Sequence, residues 1–401
     1  MTRSRLAAVA LGATLAIQVF TSLAASATAV LAPAIAADFG VAPRWIGAFI
    51  GLVFAGAMGA SLASGGFIER YGAIRTSQAC VAICVAGVAM MAAAPGNAPA
   101  VLALAGIVIG LGYGPITPAS SQLLARTTAP GRMALTFSIK QTGVPAGAAL
   151  AGAALPTLED VVGWRWSLAA IALAGLVIVA LAQPIRARLD EDRQPARRVS
   201  MRSVLAPLRH LRVPAVRRLA LLGVAYSSTQ TCLTSFLVVY LAEVLGYPLV
   251  LAGLALSVAT MAGVAGRIAW GAVSDRWLTP RRTLVLIGVM AGIGSVALAL
   301  VQPGWPVAAC LLIAAAYGAT AIGWNGVQLA EVARLAPAGA AGAVTGAAAF
   351  VTFSGVMAGP PLFALVASAT GSYRIGFAIT GAISAGSALW HLRRTRAGAQ
   401  M

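Results

Sequence analysis

Two short polar stretches decide the fold: Gly65-Gly66-Phe67-Ile68-Glu69-Arg70-Tyr71-Gly72, and Gly271-Ala272-Val273-Ser274-Asp275-Arg276, which begins 206 residues later. In each stretch a glycine is followed four positions later by an acid and then by an arginine. A long apolar run lies on each side of both stretches. Because a helix of about 20 apolar residues can cross a bilayer, the pattern predicts pairs of membrane-crossing helices joined by tight polar loops.

The composition of the whole chain indicates a membrane protein. Of the 401 residues, 60% are hydrophobic and 9% are charged, and the mean hydropathy is +0.89. Soluble domains carry about 25% charged residues, so a water-soluble enzyme is excluded, and the apolar content excludes a disordered chain. The formal net charge of +18 would indicate nucleic-acid binding only if the basic residues formed a surface exposed to water. The expected partner is therefore the lipid bilayer, with no nucleic acid.

Twelve apolar segments are long enough to cross a bilayer. Since backbone polar groups in lipid must be satisfied within the segment, each is predicted to be a helix. The predicted fold class is thus an all-α polytopic membrane protein. The predicted spans are 8–36, 44–66, 74–94, 99–125, 132–156, 166–185, 218–242, 249–273, 283–301, 306–330, 340–368 and 375–391.

The distribution of arginine predicts the orientation of the spans. If the N-terminus is inside, the outer loops carry only Arg44, Arg165 and Arg374, and most other basic residues fall on the inner side. Positive charge favours the cytoplasmic side. We therefore expect a multi-pass protein of the cell inner (plasma) membrane with both termini in the cytoplasm.

The longest polar segment divides the chain into two halves. The sequence predicts an N-terminal six-helix bundle over 1–185, a basic cytoplasmic linker over 186–217 and a C-terminal six-helix bundle over 218–401. The arginines of the linker fit either a solvated connection or a surface for anionic lipid or a partner.

The two halves repeat each other. Matched pairs at the offset of 206 residues include Gly65 and Gly271, Glu69 and Asp275, Arg70 and Arg276, and Gln122 and Gln328. Since each half has six predicted spans, the halves share one topology and are related by an axis along the membrane normal. Parallel repeats of this kind, with substrate held between them, are a transporter pattern.

The duplicated stretch resembles the G-x-x-x-D-R-x-G-[RK] loop motif of the major facilitator superfamily. The resemblance covers nearly the whole chain in topology, while Glu69 and Leu278 depart from the motif's Asp and from the Gly of its second copy. It implies twelve helices in two parallel-related bundles and secondary transport by alternating access. The residues that the resemblance assigns to gating are Gly65, Glu69, Arg70, Gly72, Gly271, Asp275 and Arg276.

Two basic residues, Lys140 and Arg267, lie in the interior of predicted spans, away from the span ends, and Lys140 is the only lysine of the chain. Each lies eight residues, or about 12 Å along a helix, from a charged residue at the predicted cytoplasmic side (Arg132 and Asp275). Charges within spans are costly and mark function, and the predicted spans contain no Asp or Glu. We expect Arg267 to grip a carboxylate through paired hydrogen bonds and Lys140 to supply a second charge. In the alternative interpretation, Lys140 snorkels to the interface and Arg267 bonds backbone carbonyls.

The stretch Arg267-Ile268-Ala269-Trp270-Gly271 resembles the eighth helix of the oxalate and monocarboxylate porters. The resemblance implies that Arg267 binds the substrate carboxylate, whereas a second basic group on span five, Lys140, departs from those relatives. The expected substrate is a small organic anion, a mono- or dicarboxylate. Polar residues expected to complete the site are Gln141, Tyr113, Tyr226, Gln230, Tyr317, Trp324 and Asn325.

Other chemistries find no support in the sequence. It has no phosphate-binding loop of the G-x-x-x-x-G-K type, and the four cysteines lie in spans while both histidines are expected on the cytoplasmic side. We therefore expect a monomer that is not an enzyme and holds no cofactor or metal. Open alternatives are symport with a proton, exchange against a counter-anion, uniport, an efflux pump for hydrophobic drugs or metabolites, and a sensor or channel without alternating access.

Overall fold

A computed structural model describes residues 3–41, 45–96, 98–197, 199–200 and 204–396, and these residues contain no strand. Arg44 and part of the predicted linker lie outside the described residues. The α-helices are α1 (Arg3–Val30), α2 (Ala32–Phe39), α3 (Trp45–Tyr71), α4 (Ala73–Ala93), α5 (Pro99–Tyr113), α6 (Ile116–Thr127), α7 (Met133–Gln141), α8 (Gly143–Leu189), α9 (Pro214–Val239), α10 (Leu249–Arg276), α11 (Pro280–Leu300), α12 (Val307–Ala321), α13 (Asn325–Leu335), α14 (Ala341–Thr370) and α15 (Tyr373–Arg396). Short 3-10 helices cover Pro130–Arg132 and Ala206–Arg212, and a π-helix covers Tyr240–Val244.

Each predicted span falls on helix, and ten of the described helical segments are long and apolar enough to cross a membrane. One of them, Pro130–Leu189, has 60 residues, about 90 Å of helix for a bilayer core of about 30 Å. Non-helical backbone at Gly163 (φ 80°, ψ 162°) divides it into two crossings. Helix α9 is not among the ten, because the polar run 227–231 lowers its hydropathy. The all-α polytopic fold class is confirmed.

Predicted span 8–36 is formed by α1 and α2, and three further predicted spans are each formed by two consecutive helices. The pairs are α5 and α6, α7 and α8, and α12 and α13, with breaks at Gly114–Pro115, Thr142 and Ile322–Trp324. A break leaves backbone groups outside the regular ladder of helix hydrogen bonds, and discontinuous membrane helices commonly form binding sites. Lys140 lies two residues before the second break, so this buried cation is placed beside irregular backbone.

Glycine allows the helices to pack closely. A Cβ atom at Gly110 would collide with the backbone carbonyl of Val53, and one at Gly318 would collide with the carbonyl of Ala259. Val53 and Ala259 are 206 residues apart, so the two close contacts fall at matching places of the sequence repeat. Such close approach of backbones stabilises helix pairs in lipid, where the hydrophobic effect does not drive association.

The chain divides into two compact units. The first consists of Met1–Thr128, Lys140–Val213 and Val332–Phe350, and the second of Ala129–Ile139, Pro214–Glu331 and Val351–Met401. Each unit therefore includes a short segment from the other sequence half, 332–350 in the first and 129–139 in the second. The boundaries 1–185, 186–217 and 218–401 follow the sequence repeat and stay a prediction.

Each unit has its own apolar core. In the first unit the core includes Phe39 and Trp164, whose ring centroids are 6.2 Å apart. In the second unit Phe363 stacks on Phe236 at 4.4 Å and meets Phe377 edge to face at 4.9 Å. Aromatic contacts of this kind add to the stability gained by burial, and they fix the helices that carry the polar residues described next.

Candidate functional site

Arg267 lies in the interior of the second unit, on α10, with 2% of its surface exposed. Its Nε donates a hydrogen bond to the backbone carbonyl of Ile322, with 3.0 Å between the two atoms. Ile322 belongs to the break between α12 and α13. Because a guanidinium is always protonated, the unit holds a permanent positive charge beside this break. The contact agrees with part of the alternative interpretation, in which Arg267 bonds a carbonyl, and it orients the guanidinium without neutralising it.

Trp270, three residues further along α10, contacts the same helix as Arg267 does. Its Nε1 donates to the carbonyl of Ala319 at 3.0 Å. Two side chains of α10 are therefore hydrogen-bonded to the backbone at the end of α12, so the position of Arg267 depends on both helices.

Gln230 joins two residues that follow the break. Its Oε1 accepts hydrogen bonds from Trp324 Nε1 and from Asn325 Nδ2, each at 3.1 Å. An indole N–H can only donate, so the Gln230 amide must present its oxygen to Trp324 and its Nε2 donor elsewhere. Gln230 and Asn325 are half-buried. The structure thus brings together three of the predicted polar residues, Gln230, Trp324 and Asn325, and fixes the direction of the Gln230 donor.

Tyr226 and Tyr317, also predicted to complete the site, lie in the core of the second unit. The Tyr226 hydroxyl donates to the carbonyl of Leu284 at 2.6 Å, and its ring meets Trp324 edge to face at 5.7 Å. Tyr317 is fully buried among apolar residues and packs against Gly294. Both side chains support the helices around the break, and contact of either with substrate stays a prediction.

Lys140 lies at the end of α7 in the interior of the first unit, with 1% of its surface exposed. Its Nζ donates to Gln18 Oε1 at 2.6 Å, to Gln141 Oε1 at 3.0 Å and to Thr117 Oγ1 at 3.4 Å. These oxygens come from α1, α7 and α6. The ammonium therefore points into the unit and is held by oxygens of three helices.

The oxygens of Gln18, Gln141 and Thr117 that accept from Lys140 Nζ belong to neutral side chains. Hydrogen bonds to an ion offset part of the cost of burying it, but amide and hydroxyl dipoles leave its net charge in place. The first unit thus also holds a buried positive charge. Of these partners the sequence predicts Gln141, whereas Gln18 and Thr117 are identified only by the structure. The sequence signal that could have identified them is a polar side chain within an otherwise apolar span.

Tyr113 lies at the end of α5, immediately before the break at Gly114–Pro115. Its ring meets Phe54 edge to face, with centroids 6.5 Å apart. The side chain is half-buried. Thr117, a partner of Lys140, follows on the other side of the break. A role for Tyr113 in substrate binding stays a prediction.

In the second copy of the gating motif, the acid caps a helix. Asp275 Oδ1 accepts from Ala134 N at 3.1 Å, and Oδ2 accepts from Leu135 N at 2.8 Å. These are first-turn N–H groups of α7, which have no partner within the helix, and a carboxylate there is favoured by the helix dipole. Gly271 packs against Ser138, leaving no room for a Cβ atom. Arg276 is exposed at the end of α10.

In the first copy, the acid contacts the linker. Glu69 Oε2 pairs with Arg197 Nε at 2.7 Å, and the Glu69 carbonyl accepts from Gln194 N at 2.7 Å. Gly65 packs against Ala343 near the start of α14. Arg70 lies over the Tyr71 ring at 5.2 Å. The two copies therefore share their sequence pattern but differ in what the acid binds.

Gly72 of the first motif allows a linker carboxylate to approach α4. It has φ +92°, where a side chain would be strained, and its position against Asp190 leaves no room for a Cβ atom. Asp190, 1% exposed, accepts from Ile74 N at 2.7 Å and from Arg75 N at 3.0 Å. Burial raises the pKa of the Asp190 carboxyl by more than these two hydrogen bonds lower it.

No group of three or more metal-ligating side chains occurs among the residues that the structure describes. The four cysteines, Cys80, Cys84, Cys232 and Cys310, are buried and form no disulfide. They contribute apolar volume to the helix packing.

One family model and several solved structures are similar to this chain. The model described as Major Facilitator Superfamily matches residues 14–360. The human organic anion transporter MFSD10 (TETRAN) has a TM-score of 0.74 at 16% identity, over 98% of this chain and 100% of that chain. The E. coli fucose:proton symporter FucP has a TM-score of 0.71 at 15% identity, over 96% of this chain and 98% of that one. The proton:xylose symporter XylE, bound to 6-bromo-6-deoxy-D-glucose, has a TM-score of 0.70 at 17% identity, over 98% and 95%.

A search among curated protein sequences finds no match. At 15% to 17% identity, the likeness to the solved structures shows the fold alone.

Proposed function

Because the chain belongs to the Major Facilitator Superfamily, we propose that this transporter carries small organic anions, mono- or dicarboxylates, by alternating access. Members of the family are transporters rather than enzymes, and they bind small molecules, often together with protons. The substrate class is our proposal and depends on the charges buried in this chain.

The buried Arg267 is the observation that carries the proposal. Keeping a guanidinium 2% exposed inside a membrane helix is costly, and such charges mark substrate or ion pathways. Its Nε bond to Ile322 orients the planar group, and a planar guanidinium matches a carboxylate through paired hydrogen bonds. A carboxylate is therefore the ligand class that this residue selects.

Lys140 supports the same class of ligand. Its Nζ is held by the neutral oxygens of Gln18, Gln141 and Thr117, which stabilise the ammonium and preserve its charge. That Lys140 and Arg267 bind one anion stays a prediction from the sequence, and a double variant tests it. If the two side chains contact one ligand, the losses caused by K140M and R267Q will not add; if they act separately, the losses will add.

Gln230 and Asn325 supply neutral polar groups near the break that Arg267 contacts. The fixed Nε2 donor of Gln230 suits an oxygen acceptor, such as a second carboxylate oxygen, a hydroxyl or a carbonyl. We therefore expect small carboxylates that carry a further oxygen to be preferred over acetate.

Contacts made by the two copies of the loop motif support the proposal of alternating access. Asp275 caps α7, and Gly65 packs against α14, so each copy of the motif fixes the start of a membrane helix through contacts that are not covalent. Contacts of this kind can break and re-form as access changes from one side to the other. A channel or sensor needs no such cycle, and counterflow of labelled substrate distinguishes it from a carrier.

We further propose that the protein is a monomer in the cell inner membrane with both termini in the cytoplasm. The proposal follows from the arginine distribution along the sequence. A reporter fused to the C-terminus, active only on one side of the membrane, tests the orientation. Native mass spectrometry of the detergent-solubilised protein tests the oligomeric state.

The deciding experiment is uptake into proteoliposomes that contain the purified protein. The panel is acetate, lactate, pyruvate, oxalate, malonate and succinate, with xylose and ethidium as a neutral and a cationic comparison. Uptake of one or more carboxylates, lost in R267Q and retained in the control R217Q at an exposed arginine, supports the proposal. Transport of ethidium alone would favour the alternative, an efflux pump for hydrophobic drugs or metabolites.

The same vesicles determine the coupling. Uptake driven by an inward proton gradient indicates symport, uptake that needs an internal anion indicates exchange, and uptake that needs neither indicates uniport.

A further inference from the structure

The beginning of the linker lies against the helices of the first unit. Asp192 Oδ2 accepts from Gln122 Nε2 at 3.0 Å, and its Oδ1 pairs with Arg126 Nη1 at 3.4 Å. Arg126 also donates to the carbonyl of Leu189. Together with the Glu69–Arg197 ion pair, these contacts hold residues 189–197 against the ends of α3 and α6. We call residues 189–197 the linker clasp.

Gln122 connects the linker clasp to α14. Its Oε1 accepts from the backbone N–H of Gly342 at 3.0 Å, while its Nε2 donates to Asp192. Gly342 is the second residue of α14, so its N–H has no acceptor within the helix. A carboxylate can only accept hydrogen bonds. Asp192 therefore determines which end of the Gln122 amide faces the helix, and the oxygen faces Gly342.

The start of α14 has little freedom to shift while this bond is present. Gly346 packs against the carbonyl of Ser61, and Gly65 packs against Ala343, both without room for a Cβ atom. Movement of the helix start away from α3 must break these contacts and the bond to Gln122 together. Opening of the first unit at this end therefore depends on the orientation of the Gln122 amide.

The matching position in the second unit is built differently. There Asp275, the repeat partner of Glu69, caps α7 directly with a carboxylate. In the first unit Glu69 is paired with Arg197, and the cap on α14 is a neutral amide. Charged groups at a helix N-terminus bind more strongly than neutral ones. The cap on α14 therefore depends on a linker residue, whereas the cap on α7 does not.

We propose that the linker clasp controls opening at the start of α14 through Asp192, a positioning residue that acts on Gly342 by orienting Gln122. Detaching the clasp frees the Gln122 amide to rotate away from the Gly342 N–H, and the cap is lost. The linker is then a regulatory element of the transport cycle as well as a connection. This inference is independent of which substrate the protein carries.

The test measures opening by the alkylation rate of a single cysteine in the absence of substrate. Thr345 on α14 is fully buried, so T345C, in a background with Cys80, Cys84, Cys232 and Cys310 replaced by serine or alanine, reacts only when this region opens. We expect D192N to raise the rate about tenfold, the order expected when a neutral amide oxygen replaces the charged acceptor of a hydrogen bond. The matched control is E191Q, at the exposed neighbouring acid, which leaves the rate unchanged.

A variant in which residues 122 and 192 exchange their amide and carboxylate groups distinguishes a loss of the amide orientation from general destabilisation of the protein. In the double variant D192N/Q122E, the new amide donates to the new carboxylate, which still accepts from Gly342 N. We expect Q122E alone to raise the rate through repulsion of Asp192, and the double variant to restore it to within about twofold of the parent. Equal rates in D192N and E191Q, or no restoration by the swap, would overturn the proposal. If D192N does not fold, the folded swap variant still decides, because a purely structural Asp192 predicts that it fails as well.

Discussion

Arg267 and Ile322 are joined by a hydrogen bond of 3.0 Å from the guanidinium Nε to a backbone carbonyl in the break between α12 and α13. The bond fixes the plane of a permanently charged group at a point where the helix is irregular. A residue that is costly to bury and is held in one orientation suits the recognition of a planar anion.

R267K tests whether the planar group is needed as well as the charge. Lysine keeps the positive charge but cannot bond Ile322 through Nε and offer a paired contact to a carboxylate. We expect uptake of the best carboxylate to fall about tenfold in R267K and about a hundredfold in R267Q, measured as initial rates in proteoliposomes. R217K, at an exposed site, is the control, and full activity of R267K would contradict the paired contact.

Q18L tests the support of Lys140 in the first unit. Leucine removes the oxygen that lies 2.6 Å from Nζ while keeping a side chain of similar size. Loss of a hydrogen bond to a buried ion costs about 1.5–3 kcal/mol, so we expect a lower Tm in detergent. K140M removes the buried ammonium that loses this acceptor, and the pair Q18L/K140M should be more stable than Q18L. Equal Tm values for Q18L and the parent protein would show that this bond contributes nothing.

Q230E tests the direction of the Gln230 donor. Glutamate keeps an oxygen for Trp324 and Asn325 but replaces the Nε2 donor by a second negative oxygen. We expect a loss of anion uptake of at least about tenfold, because like charges repel strongly in a site of low dielectric. Q302E, which makes the same change at an exposed glutamine, should transport as the parent does. Normal anion uptake by Q230E would place Gln230 away from the substrate.

D275N tests the cap on α7. Asparagine can replace one of the two accepted hydrogen bonds and has no charge to interact with the helix dipole. We expect a loss of about 1 kcal/mol of unfolding free energy, seen as a lower Tm. D160N, at an exposed acid, is the matched control, and a Tm as high as that of D160N would mean that the cap is energetically neutral.

Asp190 predicts a pH dependence of stability. Burial raises its pKa in the folded protein above the ordinary value of 3.8, so folding favours the protonated carboxyl. The contribution of this group is therefore full at pH values below 3.8 and is lost as the pH rises through the raised pKa. We expect the Tm of the parent minus that of D190N to fall from acid to neutral pH. If this Tm difference instead rises with pH, folding lowers the pKa of Asp190 and the prediction is wrong.

The helices and the two buried cations were predictable from the sequence, and their partners were not. A lone Lys140 or Arg267 in an apolar run must be buried or functional, whatever the detailed packing. In contrast, the contact of Lys140 with Gln18 depends on how α1 packs against α7. The sequence of an apolar span does not indicate which other spans it packs against. Residues of this kind can only be recognised as polar exceptions within a span.

The sequence repeat gives a wrong expectation for one pair of residues, Glu69 and Asp275. Matching Glu69 to Asp275 suggests one role for both acids, yet Asp275 caps α7 and Glu69 pairs with Arg197. Arg197 lies in the linker, which has no counterpart in the second half. Symmetry of sequence therefore predicts which residues occupy equivalent positions, and an added segment changes what those residues bind.

The hydrogen bond from Trp324 to Gln230 has a consequence for how substrate range evolves. Trp324 packs its ring on Tyr226 and uses a single N–H to hold the amide. A phenylalanine there would keep most of the packing and leave the amide bonded only to Asn325, whose own amide can turn with it, so that the pair could meet ligands that donate as well as ligands that accept. If Gln230 contacts the substrate as we propose, one indole hydrogen controls the breadth of acceptable ligands, at a position where the change leaves the helices in place.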